Sequence, residues 1–119
     1  MLKEKISAFI EQIQSIDGVA ACALVSRDGI IAGKHFDRDL NEPWFGALSA
    51  TILASAESIG SIVKMKSLGP VTIRAEGSSV VIMGAGENFL IAAIISDIAD
   101  HSKIHAAMYG ISQKIREAM

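Results

Sequence analysis

Aromatic residues are scarce in this sequence, at 5%, and its 11 Lys and Arg are outnumbered by 13 Asp and Glu. Nucleic-acid binding needs clustered cations to neutralise phosphate, and no such stripe exists. Cysteine is almost absent: Cys22 stands alone and cannot close an internal disulfide, which fits a reducing cytoplasm. The opening MLKEKISAF mixes charge with apolar residues and contains no apolar h-region, so no signal peptide is expected. Charge is missing locally too. From Pro43 to Val63 the only ionisable side chain is Glu57. That run is long enough to test as a membrane span. Ser49, Thr51, Ser55, Ser58 and Ser61 make it too polar for one.

What is present is apolar. Half the residues are hydrophobic and the mean hydropathy is +0.40, high for a small monomer. Residues 1–119 are read as one domain, and the apolar excess favours an oligomer. The 43–63 run reads as a helix, because Leu48, Ile52, Ile59 and Val63 recur at helical spacing. A surface helix normally shows water a charged face. This one has almost none, so its outer side is expected to be covered by another protein. The expected geometry sets Leu48, Ile52 and Ile59 on the sheet. Ala47, Ala50, Ala54 and Ser58 then form a smooth outer face that a second helix can approach closely.

The rest of the chain divides cleanly. Leu2, Ile6, Phe9, Ile10, Ile13 and Ile16 form one stripe of a first helix, which Asp17–Gly18 is expected to end. Val19–Val25 and residues 30–33 flank Asp28–Gly29 as a hairpin. Residues 34–42 read as a polar loop, with Asn41 as N-cap and Pro43 in the first turn of the next helix. Gly69–Pro70 breaks the chain. Val71–Glu76 alternates in polarity, Val80–Met83 follows a Gly77–Ser78 turn, and residues 84–88 turn into Phe89–Ile95. Asp97 or Asp100 caps a last helix with the stripe Ile104, Met108, Ile111, Ile115 and Met119.

Strands 19–25 and 89–95 are apolar at every position, so both of their faces must be buried, and they belong in the middle of the sheet. Short turns make neighbours antiparallel. The predicted fold is an α/β sandwich of the α+β kind, αββαβββα, with a five-stranded antiparallel sheet in the order 2-1-5-4-3. One helix covers one face and two cover the other.

No catalytic or cofactor constellation emerges. His101 and His105 share a helix face, but they lack the intervening glutamate of zinc-protease helices and any third ligand. Gly84–Ala85–Gly86 leads into a strand, which suits a turn rather than a phosphate cradle. Cys22 has no orienting base nearby and reads as a core residue. Asp37, Asp39 and Glu42 read as a solvated loop. Trp44 and Phe45 fit equally a binding anchor or a staple closing the helix end. No metal or cofactor is expected.

The element order, together with Ile16 to Gly33 (IDGVAACALVSRDGIIAG) and the small-residue helix at 43–63, resembles the roadblock family. Dynein light chains of the roadblock type and the bacterial MglB-like polarity regulators belong to it. The resemblance covers essentially the whole chain, read as the domain alone. It implies a non-enzymatic, cytoplasmic dimer, homomeric or heteromeric, that binds a Ras-like small GTPase as regulator or scaffold. In that family the third strand pairs with its twin and the middle helices pack near each other. The implied dimer interface is Ala47, Ala50, Ala54 and Ser58 with Val71, Thr72, Ile73 and Arg74. Trp44, Ser55 and Ser61 are the expected GTPase contacts. Arg27, in the first hairpin turn, reads as solvated and takes no role. The alternative reading is a small-molecule-sensing domain, whose mark would be a sizeable internal cavity.

Overall fold

The computed structural model describes residues 1–119. The elements are α1 (Leu2–Gln14), β1 (Val19–Ser26), β2 (Ile31–His35), α2 (Glu42–Ile62), β3 (Val71–Arg74), β4 (Ser78–Ala85), β5 (Phe89–Ser96) and α3 (His101–Ala118). The five strands form one antiparallel sheet in the order β2-β1-β5-β4-β3, as the sequence predicts.

The two-sided burial of the central strands fixes that order. In β1, Cys22 and Leu24 point into the larger core, while Ala23 and Val25 point into the smaller one. In β5, Ile91, Ala93 and Ile95 face the first, and Leu90 and Ala92 the second. The larger core has 16 buried residues and lies under α1 and α3, which supply Ile6, Phe9, Ile10, Ile13, Ile104, Met108, Ile111 and Ile115. Each such side chain contributes about 1.5–3 kcal/mol through its removal from water. The smaller core has 7 buried residues, and α2 adds only Ala50 and Leu53 to it.

Element ends differ from expectation for local reasons. Leu2 is exposed, and α1 stops at Gln14 with right-handed Ser15 as its cap. Gly18 (φ 98°) belongs to the entry into β1, where a Cβ would come within 2.5 Å of the Ala99 Cβ. The first hairpin turns on Gly29 (φ 89°), and its second strand runs to His35, claiming Lys34 and His35 from the expected loop. β3 ends at Arg74, because the turn through Gly77 (φ 90°) begins there. β4 is longer than expected and takes in Gly84 and Ala85. Asp100, not Asp97, caps α3 by accepting from the Lys103 N–H at 3.2 Å. Asn41 caps α2 as expected, accepting from the Trp44 N–H at 3.1 Å.

Candidate interaction surface

The orientation of α2 is a correction to the sequence reading. Its inward face is the small-residue one: Gly46, Ser49, Ala50, Leu53 and Gly60 are buried. Ala50 is 8% exposed and so cannot lie on the outer face. Leu48 and Ile59, expected on the sheet, are 51% and 61% exposed, while Ile52 is half-buried. The cause is how closely the helix sits on the sheet. A Cβ on Gly46 would fall 2.5 Å from the Gly29 carbonyl oxygen, and one on Gly29 would fall 2.9 Å from the Ala47 Cα. A leucine at position 46 would hold the helix away. The glycine at position 46, where backbone meets backbone, decides which face turns in, and Leu53 fills the sheet further along the helix.

The outer stripe then follows from helical spacing. Trp44, Leu48, Ser55 and Ile62 lie along it, all exposed, with Thr51 and Ser58 between them. Ala47, Ala54 and Ser61 are exposed beside it. The aromatic pair at the helix start divides its roles. Phe45 packs edge-on against Phe36, with ring centroids 5.7 Å apart, while Trp44 remains 62% exposed. By length and composition α2 could cross a membrane. Here one side of it is sealed against the sheet.

The lone charge between Pro43 and Val63 is consumed internally. Arg27 Nη1 donates to Glu57 Oε1 at 2.7 Å, and Nη2 donates to the Gly86 carbonyl at 2.7 Å. Arg27 is therefore not the solvated turn residue expected. It ties the first hairpin turn to α2 and to the β4–β5 turn. Nothing in the sequence marks these partners, which lie 30 and 59 residues away. The one available signal was Glu57 itself, a single carboxylate in an apolar run. With Glu57 paired, no charge remains along the outer stripe.

β3 is a sheet edge, hydrogen-bonded to β4 alone. Val71 packs into the α2-side core, and alternation places Ile73 on that same side, exposed. Thr72 and Arg74 lie on the other side, Thr72 half-buried and Arg74 exposed. The helix stripe and the Val71–Ile73 side of the edge strand thus share one face of the sheet.

The remaining candidate groups do no chemistry together. Burial pushes the Cys22 thiol up to about 11, against a smaller opposing hydrogen bond from the His35 backbone. His101 and His105 meet edge-on at 6.1 Å, with His101 Nδ1 and His105 Nε2 buried and unpartnered. Burial, then His101, then Arg74 hold His105 below the usual imidazole range. No three ligating side chains stand together. Asp37 pairs with Arg38, which lowers its carboxyl, and Glu42 pairs with Lys34.

The fold is shared with several solved structures. MglB from Myxococcus xanthus superposes with a TM-score of 0.86 at 11% identity, over 98% of this chain and 88% of that one. The gliding protein MglB from Thermus thermophilus gives 0.84 at 14%, over 97% and 88%. A Roadblock/LC7 domain from Streptomyces avermitilis gives 0.81 at 16%, over 93% and 94%. No curated protein matches the sequence itself. Residues 5–96 match the family described as the Roadblock/LC7 domain. With most of its length matched and the five-stranded sheet in place, the chain belongs to the Roadblock/LC7 domain family.

Proposed function

We propose that this chain is a non-enzymatic module that pairs with a second copy of itself and binds a Ras-like small GTPase in the cytoplasm, regulating or scaffolding it. One observation carries the reading. The outer stripe of α2 carries no charge and exposes Trp44, Leu48 and Ile62 among small hydroxyl side chains, while Glu57 beside it is held by Arg27. Exposed apolar patches rimmed by polar residues mark protein contacts on soluble domains. The edge strand beside it offers unpaired backbone groups, a ready template for a second strand. Helix and strand share a face, so one partner can cover both. A solved MglB described as having a tetrameric arrangement supports self-association in a protein of this fold. The clefts on this chain are open at the surface and lined by charged side chains, which favours a protein contact over a sensed metabolite.

Light scattering tests the pairing directly: the expected mass is twice 12.6 kDa. A double variant, Leu48→Glu with Ile62→Glu, is expected to run as a folded monomer with an unchanged circular dichroism spectrum. A wild-type monomer throughout the accessible concentration range overturns the dimer. For the GTPase, a Ras-like protein from the same cell is immobilised with GDP or a non-hydrolysable GTP analogue. Binding that depends on the nucleotide supports the reading; equal absence of binding in both states refutes it.

A further inference from the structure

β3 is shorter than the strand it pairs with. Their ladder runs from Arg74–Ser79 to Val71–Ile82 and stops, because Pro70 has no N–H with which to continue it. Met83, Gly84 and Ala85 keep β5 on one side and have no strand on the other. Ala75 donates to the Ser78 carbonyl, which turns the Ser78 backbone toward β3. Antiparallel alternation then turns Val80, Ile82 and Gly84 the same way. Gly84 therefore aims its N–H and C=O past the end of β3, and no backbone hydrogen bond joins it to residues 66–70.

Over this open position lies a cleft of about 630 Å³, walled by Glu57 of α2, by residues 66–70 and by Tyr109, Gln113 and Arg116 of α3. Its charge is lopsided. Arg27, Lys66 and Arg116 face one carboxylate, Glu57, which is already committed to Arg27. Lys66 and Arg116 have no carboxylate partner. The Arg27 Nε–H is buried without an acceptor.

The geometry points to a docking site for an extended acidic segment of a partner protein. The segment adds one step to the interrupted ladder at Gly84 and sets a carboxylate against Arg116 and Lys66. The strand-like form follows from the exposed backbone pair, and the acidic character from the two unpaired cations. The bare Cα of Gly84 has its own reason: a Cβ there would meet Arg27 Nη2 at 3.0 Å. This site is separate from the outer stripe of α2 and does not depend on the proposed dimer or GTPase contact.

The test pans a display library of random ten-residue peptides against the folded protein. Selected peptides are expected to be rich in Asp and Glu among strand-forming residues. In amide NMR titrations they are expected to shift Gly84 and its neighbours and to slow Gly84 hydrogen exchange. Arg116→Glu and Lys66→Glu, both at exposed positions, should each weaken binding by at least about tenfold. A library that yields no binders overturns the site. So do peptides that bind the two variants as well as the wild type, or that shift the α2 outer stripe and leave Gly84 untouched.

Discussion

Leu53 and Leu48 lie on one helix, and removing the same atoms from each separates the two possible orientations of α2. Leu53 is 2% exposed and packs among Ala23, Val25, Ile82, Leu90 and Ala92; Leu48 is half open to water. Leu53→Ala forfeits the transfer energy of its side chain and leaves a cavity between helix and sheet, a loss of about 2–5 kcal/mol. Against a total stability of roughly 5–15 kcal/mol that is a large share. For a domain of this length it lowers the thermal midpoint by roughly 10–20 °C. Leu48→Ala should cost the isolated chain less than about 0.5 kcal/mol. Its effect belongs to association instead, so it should flatten the rise of the midpoint with protein concentration. Thermal melts followed by circular dichroism at two widely separated concentrations read both quantities. If Leu48→Ala is as damaging as Leu53→Ala in dilute solution, the helix is turned the other way and the reasoning fails.

Three further outcomes are expected. His105 is held below its ordinary 6.5, so the fold favours its neutral form; urea midpoints should be highest above that pH and decline as pH falls through it, and His105→Gln should reduce the decline. Cys22, with its thiol near 11 and its side chain buried, should resist alkylation at neutral pH until the chain unfolds in denaturant, and rapid labelling of the native protein contradicts its placement. Gly46→Ala, whose Cβ would sit 2.5 Å from the Gly29 carbonyl, should destabilise by about 1–3 kcal/mol. Gly110→Ala is the matched control, with nothing within 4 Å; it should stabilise by about 0.4–1 kcal/mol, and equal effects at the two sites would refute the close helix–sheet contact.

The sheet was readable in the sequence because burial leaves a periodic trace. Val19–Val25 and Phe89–Ile95 are apolar on both sides, and only the middle of a two-faced sheet asks for that. Val71–Arg74 sits at an edge, as its alternation suggests. The face of α2 was misread for a physical reason. Hydrophobic contrast is a sound guide when a helix separates oil from water, but α2 has apolar residues on both sides. What sets the orientation is the close backbone contact of Gly46 with Gly29, and no pattern within residues 43–63 reveals a neighbour at residue 29. The cleft at Gly84 was hidden for the same reason, being assembled from α2, the 66–70 segment, β4 and α3. The partners of Arg27 likewise become visible only once the hairpin turns are brought together.

A guanidinium that ties its own turn to two other chain segments changes how position 27 should tolerate substitution. Ranked by exposure, with its side chain 28% open, it would pass for an ordinary surface residue. Lysine keeps the charge but offers a single ammonium, which cannot span the Glu57 carboxylate and the Gly86 carbonyl as the planar fork does. Arg27→Lys is therefore not a conservative change in this protein. It would let the C-terminal half of α2 and the β4–β5 turn move independently and would expose the committed carboxylate of Glu57. Arg27 and Glu57 both line the cleft at Gly84, so a substitution at residue 27 would be felt at that cleft as well as along α2.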